Sequence, residues 1–267
     1  LMANTTLTVP APGVLTNDGD ADGDSLAAVL GAGPTHGTLS LSANGAFTYV
    51  PSANYVGSDS FTYRASDGLA NSGLATVNIS VTAFTSLFND TFTRTSLSPW
   101  VVQAGNWAVS GGALTGGTNA PASYGYAYLT NQWGDYSVQS RVGLSAGGFG
   151  GGLAGRLNPA TGARYAAWVY PEGSVGGSKV LKLLKFQNWS EFTVLQQVSL
   201  TGVGTNWHTV KLVMQGNRIA VYYDGNLMLS LTDQAAPPLI SGGISFDLWT
   251  DATPWTLIAD DVTVNAV

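Results

Sequence analysis

The sequence predicts an all-β protein made of two consecutive β-sandwiches, and three observations support this fold class. Short runs that alternate apolar and polar residues recur along the whole chain, with turn residues between them. Glycine is frequent, at 34 of 267 residues, and no amphipathic helix of useful length is visible. Charge and aromatic content both change near residue 84, which is typical of a domain boundary.

This boundary divides the chain into a first domain, residues 1–83, and a second domain, residues 84–267. The first domain carries six aspartates and one arginine, a net charge of −5, and no tryptophan. The second domain holds ten acidic and nine basic residues and all eight tryptophans. Neither domain has the basic surface that nucleic acid requires, so we expect no nucleic-acid partner.

Alternating runs predict the individual strands. About seven short strands in about 80 residues indicate an immunoglobulin-like sandwich for the first domain. Its clearest runs are Thr6–Val9, Gly37–Leu41, Ala46–Val50, Asp59–Ala65 and Ala75–Val81. About a dozen strands in about 180 residues imply a jelly-roll sandwich for the second domain. Its clearest runs are Tyr136–Val142, Ala163–Tyr170, Val180–Phe186, Thr209–Met214, Arg218–Tyr223 and Leu227–Leu231, with a hairpin turn predicted at Asp224-Gly225.

Composition limits the cellular context. The chain has no apolar run long enough to span a membrane, and it has no cysteine for disulfides or thiolate chemistry. The start, Leu1-Met2-Ala3, shows no signal-peptide pattern and indicates a piece of a larger multidomain protein. We expect a monomer that is extracellular, either secreted or at the cell surface, without membrane insertion.

An acidic segment near the start is a candidate metal site. Asp18, Asp20, Asp22 and Asp24 stand at every second position with small residues between them. Such crowding of negative charge is unfavourable without a cation, and oxygen ligands at this density suit Ca²⁺. Val29 stands where an EF-hand has its bidentate glutamate, so a true EF-hand is not expected. A structural Ca²⁺ site and an acidic, solvated turn both remain open.

Several motifs extend the interpretation of the first domain. They are Gly13–Asp18, Asp20–Asp24, Gly37–Leu39, Phe47–Pro51 and Gly57–Tyr63. On these motifs residues 1–83 resemble the bacterial Ig-like, cadherin-like tandem repeats of large secreted and surface proteins. The resemblance implies a spacer, and it implies Ca²⁺ at the acidic segment, because some relatives bind Ca²⁺ at module boundaries.

The second domain resembles the concanavalin A-like, laminin-G-like jelly rolls. The motifs that carry this resemblance are Phe88–Phe92, Gly105–Leu114, Asp135–Val142, Gly152–Arg156, Trp207–Leu212, Val221–Gly225, Gly242–Phe246 and Asp260–Val262. The fold hosts lectins, carbohydrate-binding modules, glycosidases, lyases and adhesive domains, so it does not fix the activity. In related jelly rolls a structural Ca²⁺ joins the termini, which implies a second metal site at Asp90 and Asp260. Turn capping by Asp90 and solvent exposure are the alternative.

The sequence offers no clear catalytic group. Glycosidases need two carboxylates across the scissile bond, and jelly-roll glucanases carry them in a Glu-x-Asp-x-x-Glu strand. The two glutamates here, Glu172 and Glu191, do not form that pattern. We interpret Asp247 and Asp251 as loop polarity and His208 as structural. We therefore expect no enzyme, although a polysaccharide hydrolase or lyase with an unrecognised site stays open.

Carbohydrate binding has more candidates, because sugars stack on aromatic rings and polar groups contact their hydroxyls. The candidate carbohydrate-binding residues are Arg156, Arg164, Trp168, Tyr170, Glu172, Trp189, Trp249 and Trp255. The alternative is that the rings fill the sandwich. We expect such filling for Trp100, Trp107 and Trp207, whereas Trp133, Trp168 and Trp189 are open to either interpretation. Arg156 could equally form a buried ion pair.

Together these observations predict a non-catalytic, lectin-like jelly roll that follows an Ig-like spacer. The predicted partner is a polysaccharide or glycan, and the predicted cofactor is structural Ca²⁺. A protein-binding adhesin domain of the laminin-G type is the alternative from another class.

Overall fold

The computed structural model describes residues 1–267 except residues 54, 84, 121–122, 146–148, 236 and 251–254. The chain divides into two compact units, Leu1–Phe84 and Thr85–Val267. In the described part of both units the regular structure is β, apart from one 3-10 turn at Gly13–Leu15. The described residues form no helix that is long and apolar enough to cross a membrane.

The first unit is an immunoglobulin-like sandwich of two small sheets. Its six described strands are β1 (Leu7–Val9), β2 (Ala27–Leu30), β3 (Gly37–Leu41), β4 (Phe47–Pro51), β5 (Gly57–Ser66) and β6 (Ala75–Val81). One sheet has the order β1-β4-β3 and the other has the order β2-β5-β6, and all pairs are antiparallel. The alternating runs of β4 and β5 place Tyr49, Phe61 and Tyr63 in the core between the sheets.

One carboxylate in the first unit is buried at the edge of this core. Asp59 accepts hydrogen bonds from the Tyr49 hydroxyl at 2.8 Å and from the backbone N–H groups of Thr35 and His36 at 3.0 and 2.9 Å. Burial opposes ionisation of Asp59, but these donors outweigh it and lower its pKa to about 2. Asp59 therefore holds the turn at residues 35–36 against β4.

The second unit is a jelly-roll sandwich of two large sheets. Its fifteen described strands are β7 (Ser86–Asp90), β8 (Val101–Ala104), β9 (Asn106–Ser110), β10 (Ala113–Gly117), β11 (Ser123–Tyr128), β12 (Tyr136–Leu144), β13 (Gly150–Leu157), β14 (Arg164–Tyr170), β15 (Val180–Phe186), β16 (Phe192–Ser199), β17 (His208–Gln215), β18 (Arg218–Tyr223), β19 (Asn226–Thr232), β20 (Gly243–Thr250) and β21 (Thr256–Ala266).

The eight-stranded sheet has the order β19-β18-β17-β12-β21-β10-β9, and β7 also pairs with β21. The seven-stranded sheet has the order β16-β15-β14-β13-β20-β11-β8. The two sheets pack their apolar faces together in one core, in which Trp100 contacts Phe246 at a ring distance of 5.3 Å. The all-β fold class predicted from the sequence is confirmed.

The predicted hairpin turn between β18 and β19 is present. Asp224 and Gly225 both have positive φ, at 47° and 79°, which is the backbone of a two-residue type I′ turn. Glycine accepts this conformation without strain, and its place after aspartate explains why the turn was predictable.

Candidate binding site on the seven-stranded sheet

Strands β13 and β14 are buried on both faces, although only one face meets the sandwich core. Tyr165, Ala167 and Val169 belong to that core, whereas Trp168 and Tyr170 belong to a separate apolar cluster. We call the surface that carries this second cluster the outer face. It is defined by Tyr124, Arg164, Trp168, Lys182, Phe192 and Asp247, which lie on five strands of the sheet.

The middle strand of the outer face carries almost no side-chain volume. On β13 the residues that point to this face are Gly150, Gly152 and Ala154. A trough results, and the long Arg164 side chain crosses it from β14 to reach Asp247 on β20. Because these residues of β13 are small, Arg164 and Asp247 can contact each other across the strand.

Arg164 and Asp247 form a fully buried ion pair. Arg164 Nε donates to Asp247 Oδ2 at 2.7 Å, and neither side chain has exposed surface. Ser245 Oγ donates to the other carboxylate oxygen at 2.6 Å. The guanidinium lies 3.7 Å from the centre of the Phe186 ring. A buried ion pair stabilises a fold best when its remaining hydrogen-bonding groups also find partners, and among the described residues Arg164 Nη2 has none.

This geometry corrects two sequence predictions. Asp247 was assigned to loop polarity, but it lies within β20 and faces the trough. Asp251, its partner in that prediction, lies outside the described residues. Arg164 was expected to contact sugar hydroxyls, but in this structure a ligand cannot reach it without movement of the rings around it.

Trp168 occupies the floor of the outer face and has no exposed surface. Its ring contacts Phe186 at 5.6 Å, Phe192 at 6.2 Å and Tyr124 at 6.4 Å. Its indole Nε1 is buried and has no hydrogen-bond partner. Tyr170 is buried beside it, and burial raises the pKa of the Tyr170 hydroxyl above its ordinary value. Direct access to either predicted residue is therefore closed.

Partly exposed aromatic rings form the rim of the outer face. Phe192 is 37% exposed, and Tyr124, Phe149 and Trp249 are half-buried. Trp249 packs edge-on against Phe149 at 4.2 Å and contacts Tyr124 at 6.3 Å. Sequence reasoning predicted Trp249 and missed the other three. The alternation Tyr124-Gly125-Tyr126-Ala127-Tyr128 is a signal that could have identified Tyr124.

A short segment, Asn188–Glu191, closes one end of the trough. Trp189 contacts the Tyr126 ring at 5.1 Å and lies 5.5 Å from the Arg164 guanidinium. The Tyr126 hydroxyl donates to the Trp189 carbonyl, and the Tyr124 hydroxyl donates to the Ser190 carbonyl at 3.0 Å. Trp189 is half-buried, so part of this predicted residue faces solvent at the rim.

Arg156 lies outside this site. It ends β13 with a positive φ of 52° and has no exposed surface. Its guanidinium donates to Asp135 at 2.9 Å, to the Leu239 carbonyl at 2.8 Å and to the Gly216 carbonyl. The ion-pair alternative fits Arg156, because these contacts join three loops and bury the guanidinium.

Glu172 and Trp255 also have structural partners. The Glu172 carboxylate accepts the N–H groups of Val203 and Gly204 at 2.8 and 2.9 Å, and these bonds lower its pKa. Trp255 is 4% exposed and donates to the Trp249 carbonyl at 2.8 Å. Trp255 does not fit the predicted sugar contact, and Glu172 acts as a clamp on the loop at residues 203–204.

Two of the three tryptophans predicted to fill the core, Trp100 and Trp107, are buried, whereas Trp207 is not. Trp100 and Trp107 are buried, at 4% and 8% exposure, as core filling requires. Trp133 packs partly buried against the core. Trp207 was also assigned to the core, but it is 39% exposed. Its ring lies 4.9 Å from the guanidinium of Arg141, which is on β12 of the eight-stranded sheet. The Trp207 assignment is wrong, because Trp207 precedes β17 on the side that faces solvent.

The acidic segment does not gather its carboxylates around one point. Asp20 accepts the N–H groups of Asp22 and Asp24 at 2.9 and 3.1 Å, while Asp18 accepts the Tyr63 hydroxyl at 2.8 Å. Over the described ranges of the chain, no three acidic or histidine side chains lie close enough to hold a metal ion. In this arrangement the segment is a hydrogen-bonded turn, and Ca²⁺ binding there stays a prediction.

The second predicted metal site fits poorly. Asp90 pairs with Arg94 at 2.5 Å and accepts the Trp100 indole N–H at 2.8 Å. Burial opposes its ionisation, but these donors lower the pKa of Asp90. Asp260 pairs instead with Arg141 at 2.7 Å. Asp90 lies opposite Val262 in the β7–β21 register, so the strands are adjacent but each carboxylate already has its own cation.

Comparisons with known proteins agree with this architecture. Residues 2–83 match the family model of the bacterial cadherin-like domain. A search of curated protein sequences found no match.

Solved structures similar to this chain have jelly-roll folds. The carbohydrate-binding module CBM66 from Bacillus subtilis superposes with a TM-score of 0.54 at 18% identity, over 65% of this chain and 99% of that chain. A Bacillus subtilis protein of unknown function with a galectin-like fold gives 0.55 at 12% identity, over 68% and 97%. A β-1,3-1,4-glucanase (lichenase) derived from a mouse hindgut metagenome gives 0.53 at 14%, over 67% and 99%. At these identities the likeness concerns the fold.

Proposed function

We propose that the second unit binds carbohydrate without catalysis, and that the outer face of the seven-stranded sheet is its binding surface. The rim rings Tyr124, Phe192 and Trp249 would stack on the apolar faces of sugar rings. The observation that carries the proposal is this row of partly exposed aromatic side chains above buried Trp168 and the buried Arg164–Asp247 pair. Small-ligand sites are usually lined by apolar and aromatic side chains with a few polar groups.

The fold neighbours support a carbohydrate as the ligand. One is described as a carbohydrate-binding module and another as a glucanase. They match 65% and 67% of this chain, and the proposed activity rests on this analogy of fold together with the rim of aromatic rings.

A non-catalytic role agrees with the charges of the outer face. Among its described strand positions, the only carboxylate is Asp247, and Arg164 and Ser245 already engage both of its oxygens. Glycoside hydrolysis needs two carboxylates about 5–10 Å apart on either side of the scissile bond. A hydrolase or lyase, and a protein-binding adhesin of the laminin-G type, remain the alternatives that the experiment below tests.

Polysaccharide affinity electrophoresis of the full chain tests the proposal. A panel of soluble neutral and acidic polysaccharides is cast into the gel, and retardation is compared for the native chain and for Phe192→Ala. Loss of one exposed stacking ring is expected to weaken binding by about 1 kcal/mol, or roughly fivefold in Kd. Reducing-end release from the same polysaccharides is measured in parallel, and we expect none.

Trp207→Ala is the matched control, because Trp207 is about as exposed as Phe192 but lies beside the eight-stranded sheet, next to β17. Retardation that persists in Phe192→Ala and disappears in Trp207→Ala would place the site elsewhere. No retardation by any polysaccharide would count against carbohydrate binding and favour the adhesin alternative.

We also propose that the first unit acts as a spacer of an extracellular protein and that Ca²⁺ stiffens Asp18–Asp24. Binding would require the side chains of Asp22 and Asp24 to turn towards Asp18 and Asp20. Thermal unfolding in Ca²⁺ and in chelator tests this, because a ligand of the native state raises Tm by mass action. Identical midpoints in both buffers would exclude a calcium site of useful affinity.

A further inference from the structure

Hydrogen-bond donors and acceptors do not balance on the outer face. Arg164 Nε and Nη1 donate to Asp247 and to the Gly162 carbonyl, at 2.7 and 2.5 Å, but the buried Nη2 has no partner. The buried Nε1 of Trp168 has none either. Asp247 is already engaged on both oxygens. Among the described residues, two buried donors on one face therefore lack an acceptor, a situation that protein interiors generally avoid.

Lys182 adds a positive charge to the same face. It lies directly opposite Trp168 in the β14–β15 register, where Cβ atoms are about 5 Å apart. Its Nζ donates to the Gly176 carbonyl at 2.6 Å and lies 4.5 Å from the centre of the Tyr170 ring.

Lys182 also has no counter-ion among the residues that the structure describes. No carboxylate in the described part of the chain forms an ion pair with it. Lys182 is half-buried, and this partial loss of hydration lowers the pKa of its ammonium. The outer face thus combines a desolvated cation with unused N–H donors, within a chain whose net charge is −6.

We propose that the outer face takes an acidic glycan, whose carboxylate binds the Lys182 ammonium and the Trp168 indole N–H. A carboxylate accepts hydrogen bonds, donates none and carries the charge that Lys182 lacks. A neutral hydroxyl would satisfy a donor but leave the ammonium unpaired. This inference rests on the proposed function, since it assigns a ligand class to the same face.

The rim determines how such a ligand enters. Lys182 is half-buried and open to solvent on one side, whereas Trp168 is covered by the rings of Phe192 and Tyr124. Phe192 lies on β16, the edge strand of the sheet, and its ring is partly exposed. The carboxylate therefore meets Lys182 first and reaches Trp168 when the Phe192 ring turns outward.

The test compares acidic polysaccharides with their own neutral derivatives. The full chain is titrated calorimetrically with oligosaccharides of polygalacturonate, alginate and hyaluronan. Each is matched by its carboxyl-reduced form, in which only the carboxylate is replaced. We expect at least one acidic series to bind roughly tenfold or more tightly than its reduced form. We also expect this affinity to fall as NaCl is raised.

Two variants assign the effect to the proposed groups. Lys182→Met keeps the length of the side chain and removes its charge, and it is expected to abolish the preference for the acidic form. Lys211→Met is the matched control, because Lys211 lies on the eight-stranded sheet beside Tyr222, and it should leave the preference unchanged. Trp168→Phe removes the N–H donor while keeping a ring, and it should reduce the preference partially.

The outcomes separate this inference from the proposed function. Equal binding of acidic and reduced forms, or binding of neutral glycans alone, overturns the acidic ligand and leaves carbohydrate binding intact. A preference for the acidic form that survives in a folded Lys182→Met also overturns it. Binding of no glycan in either set removes both proposals together.

Discussion

Neutralising one partner of the buried Arg164–Asp247 pair is expected to destabilise the second unit strongly. Asp247→Asn removes the charge at nearly constant volume and leaves a guanidinium with no exposed surface and no counter-ion. Removal of one partner of a buried pair costs about 3–5 kcal/mol. Because a unit of this size loses about 2–4 °C in Tm per kcal/mol, we expect Tm to fall by roughly 6–20 °C.

The assays are thermal unfolding, which gives Tm, and urea unfolding, which gives the free energy of unfolding. Both are followed by tryptophan fluorescence, since all eight tryptophans lie in the second unit. Asp261→Asn is the control, because the Arg141–Asp261 pair is exposed and such pairs contribute about 0–1 kcal/mol. The double variant Arg164→Met/Asp247→Asn carries neither buried charge and should be less destabilised than the sum of the two single variants. A cost below about 1 kcal/mol for Asp247→Asn, or simple additivity in the double variant, would refute a buried charge pair.

Three further predictions concern stability. Because the folded pKa of Asp59 is depressed from 3.8 to about 2, its contribution of about 2 kcal/mol is complete above pH 4 and is lost as pH falls towards 2. Urea midpoints of the first unit should show this slope, and Asp59→Asn should flatten it. Gly225→Ala should cost about 1 kcal/mol because φ is 79°, whereas Gly134→Ala, which meets open space, should cost little; equal costs would contradict this. Arg156→Lys should lower the free energy of unfolding in urea by about 2 kcal/mol or more, because one ammonium cannot reach all the acceptors of the guanidinium. An unchanged free energy would contradict the role of Arg156 in joining three loops.

Local patterns predicted the strands well where each residue's environment follows from its own neighbours. Val180–Phe186 and Arg218–Tyr223 match β15 and β18 at both ends, and Asp224-Gly225 forms the predicted turn. Alternation reports which strand positions are apolar, and a two-residue turn depends on two residues only. Such features require no knowledge of the rest of the chain.

The site depends on contacts between distant parts of the chain. Arg164 and Asp247 are 83 residues apart, and they meet because β13 lies between β14 and β20 in the sheet. Nothing local in the sequence gives this order. The same limit explains Trp168, for which alternation gave the correct face but not the rings of Tyr124 and Phe192 that cover it. Loop tryptophans were judged by their neighbours in sequence, so Trp207 and Trp255 were assigned to the wrong environments.

The buried side chains of the outer face have two physical interpretations, packing alone or ligand binding. The donors without a described partner favour ligand binding. If the outer face were only a second core, apolar side chains would fill the space above Gly152 and Ala154 at no electrostatic cost. Burying the charged side chain of Arg164 there would then cost free energy without any benefit. Instead the outer face holds a buried ion pair with two unpaired N–H donors nearby, each of which costs about 1–3 kcal/mol. A ligand that supplies acceptors returns that free energy as affinity. This balance supports the proposed binding function of the outer face.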